Sequence, residues 1–163
     1  AEFPVNQTSF VSYALDTNEQ LERIVLIGDN GIATDTITNV WTTLNTETSW
    51  TELLIEDPDY ACPKLNNSQL IQYNDQLYLF GGPGQHNGKL QAFERIYASK
   101  DNGISWEAIT KKVMFPQEFN TLYEEAKGNY SCVVDNQQFI WIMWSQTGEV
   151  WRGRINKFGF ERQ

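Results

Sequence analysis

The chain has 163 residues, is 40% apolar and 13% aromatic, and carries a formal net charge of −9. That length suits one domain with a core of its own, and that apolar share excludes a disordered chain. Twelve Lys and Arg, scattered among twenty-one Asp and Glu, make a surface that repels phosphate backbones, so no nucleic-acid partner is expected.

Six Trp, seven Tyr and nine Phe favour β-structure. No apolar run approaches the roughly 18 residues of a membrane-spanning helix, so no transmembrane segment is expected. The opening AEFPVNQTSF lacks the basic and apolar regions of a signal peptide. If the protein is exported, its signal lies upstream of this stretch.

In chain order, SFVSYALD (9–16) and ERIVLIGDNG (22–31) read as two apolar strands joined by a polar turn, Asp16-Thr17-Asn18. NVWTTLNTETSW (39–50) follows as a third strand, and Thr51–Leu54 as a short fourth. The pattern returns as SQLIQYND (68–75), DQLYLFGGPG (75–84), RIYASKDNGISW (95–106) and Glu107–Ile109, with Asn74-Asp75 at the first turn. FNTLYEEAK (119–127) has room for one or two helical turns. The third round is YSCVVDNQ (130–137), QQFIWIMWSQTG (137–148) and EVWRGRINKFGF (149–160), with Asp135-Asn136 at its turn. Its end at Gln163 leaves an expectation of no fourth strand there.

Val40-Trp41, Ile96-Tyr97 and Val150-Trp151 mark the same point of each round, and Trp50, Trp106 and Phe160 close the third strands. A unit of four strands in roughly fifty residues has the size of a propeller blade. The expected fold class is therefore all-β: a single partial β-propeller domain over 1–163. It would have about three four-stranded antiparallel blades, approximately 8–56, 66–112 and 129–163, in an incomplete ring.

SKDNGISW (99–106) places a hydroxyl, an acid, a glycine and a hydroxyl at alternate positions, with an indole directly after the last. A turn between strands three and four uses all of them. Gly103 supplies positive φ, Asp101 accepts from backbone N–H groups, Ser99 and Ser105 tie the limbs, and Trp106 opens the next strand. The degenerate copy TLNTETSW (43–50) keeps Thr43, Asn45, Ser49 and Trp50 but has Glu47 in place of the glycine. Recurrence once per unit suits a structural turn better than a catalytic set.

SKDNGISW resembles the Asp box of sialidases and many other β-propellers, and QLYLFGG resembles the second strand and double glycine of kelch and galactose-oxidase-like propellers. The ending VWRGRINKFGF is similar to the last blade of exported bacterial kelch-like proteins of unknown function. The resemblance implies a propeller fold and an exported, periplasmic or cell-surface location. It does not bring the enzymes' chemistry. Arg95-Ile96-Tyr97 lacks the proline of the sialidase Arg-Ile-Pro motif, and Arg23, Arg152, Arg154 and Arg162 do not assemble its arginine triad. Gly28-Asp29 and Met143-Trp144 replace the glycine pair in two units. The galactose-oxidase copper site needs two histidines, and His86 is the single one here.

No metal or other cofactor is expected, because one histidine and the distant Cys62 and Cys132 form no zinc or copper set. The two cysteines permit one disulfide without requiring it, and a free buried pair is the preferred reading.

In a propeller the connections from strand two to three and from four to the next unit share one end, and here they are the long ones. The expected ligand site lies there: Asp29, Asn30, Gln85, His86, Asn87, Trp144 and Gln146, a tryptophan flanked by amides being suited to stacking on a sugar. Asp57/Asp59 and Glu124/Glu125 are adjacent acids, and such pairs are most often solvated charge. The expected function is a noncatalytic module binding glycan or protein. The alternatives are a glycoside hydrolase or lyase with catalytic residues partly on missing blades, and a purely structural or assembly module. Three blades do not close a ring, so self-association or pairing with missing blades is expected.

Overall fold

Asn74 and Asp75 take φ of 48° and 59°, and Tyr73 pairs with Gln76 on either side of them. Two successive residues at positive φ form the type I′ turn, whose twist matches that of the flanking strands. The sequence around this hairpin alternates about it, and the same logic builds three sheets in succession.

A computed structural model describes residues 10–17, 20–28, 39–44, 51–54, 68–81, 85–86, 89–90, 92–93, 96–109, 115–155 and 159–163. The first sheet is β1 (Phe10–Thr17), β2 (Gln20–Gly28), β3 (Asn39–Leu44) and β4 (Thr51–Leu54), in that spatial order. The second is β5 (Gln69–Tyr73), β6 (Gln76–Phe80), β9 (Ile96–Ser99) and β10 (Glu107–Ile109), paired in sequence order from β5 to β10. Between β6 and β9 stands a small hairpin of β7 (Gln85–His86) and β8 (Lys89–Leu90). Helix α1 (Glu118–Glu125) precedes the third sheet, β11 (Tyr130–Val134), β12 (Ile140–Trp144), β13 (Val150–Arg154) and β14 (Gly159–Arg162). Every pairing is antiparallel.

The expectation that the third unit lacks a fourth strand is corrected: β14 pairs with β13, Phe160 opposite Gly153 and Arg162 opposite Trp151. Phe160 belongs to that fourth strand and does not close the third. All three sheets are thus complete four-stranded units wound from consecutive strands. The first strand of each stands next to its neighbours, β5 touching both β1 and β11. This is an all-β propeller arrangement in an incomplete ring.

Register makes the repeat explicit. Trp41, Tyr97 and Trp151 face Leu26, Leu79 and Ile142 across the second and third strands of their sheets. Alternation then assigns each sheet two faces. Leu70, Leu79 and Tyr97 lie on one face of the second sheet, while Ile71, Tyr78 and Ala98 lie on the other, packed toward the third sheet.

Between the second and third sheets lies a core of aromatic rings. Phe119 of α1 is completely buried and contacts Phe93, Trp144, Trp151 and Phe160 with centroids 5.2–5.5 Å apart, each pair edge-on. Phe119, Leu122 and Tyr123, the buried residues of α1, occupy one helical face by their spacing, while Glu118 sits favourably in the first turn. The helix stops where Lys127 and Gly128 turn to positive φ and the Gly128 amide bonds the Tyr123 carbonyl. Asn120 Oδ1 accepts from the Phe93 amide and so fixes the loop that delivers Phe93 to the core.

Candidate functional site

The 99–106 segment connects β9 to β10. Asp101 Oδ1 accepts from the Ser99 hydroxyl and the Ser105 amide, both at 2.8 Å, and Oδ2 accepts from the Ser105 hydroxyl. Ser99 Oγ in turn accepts from the Gly103 amide at 2.8 Å, and the Trp106 indole donates to the Gly103 carbonyl. Gly103 sits at φ 86° and Asn102 at 59°. Partial burial pushes the Asp101 carboxyl up, but the hydrogen bonds from Ser105, Ser99 and Ile104 outweigh it and hold the group below its ordinary value. Both oxygens of this carboxylate are spent inside the turn.

Asp135 does the same work in the third sheet, between β11 and β12. Its Oδ1 accepts from the amides of Gln137 and Phe139, and its Oδ2 accepts from the Trp141 indole at 2.8 Å. The Trp141 bond first, then the Phe139 amide, hold this carboxyl below the usual range.

The first-to-second-strand turns of the second and third sheets, at Asp75 and at Asp135, Asn136 and Gln138, border a cleft between β5 and β11. It has a volume of about 510 Å³. Leu70, Ile71 and Val134 give it apolar walls, and Gln72, Asp75, Asp135, Asn136 and Gln138 give it a polar rim. Gln138 is anchored by accepting from the Asn74 amide at 3.0 Å, which links the turns of adjacent sheets. Cys132 also lines the cleft; burial pushes its thiol up to about 12, which favours the protonated form. It is a free cysteine. Cys62 lies outside the described residues, as do Asp57 and Asp59. Among the described residues no group of three or more His, Cys, Asp or Glu could hold a metal ion.

At the opposite end, the long-connection end, four of the seven expected ligand residues are described: Gln85, His86, Trp144 and Gln146. Asp29, Asn30 and Asn87 lie outside the described residues. Gln85 and His86 form β7, opposite Leu90 and Lys89. Gln146 is exposed in the tight connection from β12 to β13. Trp144 requires a correction: it is 0% exposed, walled by Phe93, Phe119 and Tyr130. A ring so enclosed offers no face to a sugar. Glu124 and Glu125 are solvent-exposed at the end of α1 and border no described cleft.

Sequence reasoning missed Gln72, Asp75, Asn136 and Gln138, because Asn, Asp and Gln between two strands read as turn formers. The readable signal was Gln72: a polar residue inside the apolar first strand of the second unit, exposed between buried Ile71 and Tyr73.

Two sheets are locked together beside this site. The Tyr130 hydroxyl donates to the Phe80 and Gly81 carbonyls at 3.2 and 3.1 Å, and burial drives its ionisation well above the ordinary value.

Residues 1–163 match the family model of the DUF6242 beta propeller domain. No curated protein matches the sequence. Among solved structures the chain is similar to YjhT, at 12% identity and TM-score 0.56, over 99% of this chain and 52% of that one. It thus spans about half the length of that protein. More loosely, it resembles the GH43 protein BlXynB of Bacillus licheniformis, at 11% identity and TM-score 0.47, over 95% of this chain and 30% of that one. YCF48 of Cyanidioschyzon merolae follows at 11% identity and TM-score 0.41, over 99% and 57%.

Proposed function

The chain belongs to the DUF6242 beta propeller domain family, and from that premise we propose that it is a noncatalytic module that binds glycan, in an exported or cell-envelope setting. The observation that carries this reading is the chemistry of the cleft between β5 and β11. Carbohydrates present hydroxyls that both donate and accept, on a ring with apolar faces. The Asn136 amide offers both donors and an acceptor, Gln72 and Gln138 bring further amides to the rim, carboxylates accept, and Leu70, Ile71 and Val134 supply apolar contact. Residues of two sheets converge there on a rigid frame, which limits the ordering cost of binding.

The polar rim also argues against turnover. Glycoside hydrolysis needs one carboxyl that stays protonated to act as general acid. Asp135 is held below its ordinary value by three hydrogen-bond donors, so at neutral pH it has no proton to give.

The test is a glycan array followed by calorimetry on the best oligosaccharide, with reducing-sugar release measured in parallel. Saturable binding without release is expected, weakened at least about tenfold by Asn136→Ala, which removes one charge-neutral hydrogen-bonding pair of roughly 1.4 kcal/mol. Release of sugar would overturn the noncatalytic reading. Binding unaffected by Asn136→Ala and Gln72→Ala would remove the cleft as the site, and capture of a protein ligand alone would replace the glycan class.

A further inference from the structure

Among the described residues, the lining of the cleft between β5 and β11 carries two acids and no base. Asp75 stands in the turn from β5 to β6 and Asp135 in the turn from β11 to β12, so each sheet contributes one. Asp75 is exposed and takes φ 59° at the second position of its two-residue turn, a place that Asp and Asn fill with little strain. It has no ion-pair partner among the described residues. Asp135 is fixed by the Trp141 indole and the amides of Phe139 and Gln137, and those donors keep its carboxyl charged at neutral pH.

The neighbouring groups leave this charge in place. Arg152 also favours the ionised form of Asp135 through space, but its guanidinium is stacked 3.5 Å from the centre of the Phe139 ring and does not line the cleft. Arg154 donates to the Gln137 carbonyl at 2.9 Å. On the rim, Gln138 Oε1 accepts from the Asn74 amide, so its NH2 group is the part left to a ligand. That donor and the Asn136 amide suit hydroxyl oxygens, and as neutral dipoles they cancel no charge. The walls are Leu70, Ile71 and Val134, and low-dielectric walls carry the field of a charged rim further into a cleft than water would.

We infer that the cleft sorts sugars by charge. It takes glycans that are neutral or carry a free amine, and it disfavours those that bring a uronic or sialic carboxylate or a sulfate. Asp75 sets this preference, since it is the acid that its turn does not consume. A sugar hydroxyl can donate to it, and an ammonium can both donate and pair with it. A second anion can do neither and meets two like charges. The inference rests on the glycan reading above and narrows it to a class of sugars.

The experiment is a glycan array printed with matched pairs that differ in one charged group: a glycan and its sulfated form, a sialylated glycan and its asialo form, and N-acetylglucosamine and glucosamine oligomers. The 163-residue chain is applied at about pH 6, in about 20 mM and about 500 mM salt. At low salt the anionic member of each pair should bind at least about tenfold more weakly than its neutral partner, and the amine at least as well as its acetylated partner. High salt should narrow the anionic gap. Asp75→Asn, which suits the same turn, should raise binding of the anionic members at least about threefold at low salt. Glu124→Gln removes the same charge at the end of α1, where no described cleft lies, and should leave the gap as it was. Anionic members that match their neutral partners overturn the inference and leave the glycan reading standing. So does a gap that Asp75→Asn leaves untouched, or one that Glu124→Gln closes equally, because the net charge of −9 would then set it. An array with no bound glycan removes the glycan reading, and this inference with it.

Discussion

At Gly81 the chain allows no side chain. Its φ is 70°, and a Cβ built there would lie 1.8 Å from the Tyr130 hydroxyl and 2.7 Å from the ring carbon that bears it. Gly81→Ala therefore costs both backbone strain and the two hydrogen bonds that join the sheets, about 2–4 kcal/mol together. Thermal unfolding checks this, and in a Tyr130→Phe background the loss should shrink, since the hydroxyl no longer occupies the space. Asp101 acts at the same scale through charge. Its folded-state value is depressed, so the stability it contributes is complete above the unfolded value near 3.9 and is lost as pH falls through the lower, folded value. Asp101→Asn should flatten the acid limb of a melting-temperature profile below about pH 4 and leave ligand binding unchanged. Its penalty at neutral pH is about 1 kcal/mol, because the turn is open to water and solvent replaces part of what is lost.

Helix α1 is the element that converts two sheets into one core. Phe119 contacts rings from the 92–93 loop, β12, β13 and β14. Phe119→Ala empties the centre of that cluster and should cost about 3–5 kcal/mol, read from the midpoint shift in urea unfolding. The strands were legible because alternation and Asn/Asp turns reinforce one another, as at Asn74-Asp75. Strand β14 was not, because Phe160 aligns with Trp50 and Trp106 by position from the start of the unit, yet the connection at 155–158 is shorter than the 99–106 turn. The aromatic therefore falls in the next strand. The same ambiguity hid β7 and β8, whose two residues each are too short for any period to show.

On the scale of the whole molecule, sequence patterning carried the repeat but not the cleft between β5 and β11. Trp41, Tyr97 and Trp151 mark equivalent places because each faces the same second-strand position, a relation set by local register. The cleft depends on which turns of different sheets meet, Gln138 on Asn74 for example, and no local pattern encodes that meeting. Trp144 misled for the same reason. Its amide neighbours suggested a sugar platform, but Phe93 and Phe119, from two separate connections, close over the ring. They also leave its Nε1 without a partner among the described residues, a desolvation cost of about 1–3 kcal/mol that the surrounding ring contacts offset.

Because each sheet is wound from consecutive strands, nearly all of its pairing is settled between neighbours in the chain. Contacts of short sequence separation close cheaply and quickly. Each unit can therefore acquire its hairpins as it emerges during synthesis, before later units exist. The aromatic core cannot: Phe93, Phe119 and Trp144 come from three successive stretches, so it consolidates only after β12 has been made. A translation intermediate ending before residue 140 would hold a formed second sheet with Phe80 and Ile71 still uncovered, and that is the stage at which the nascent chain most needs protection from its neighbours.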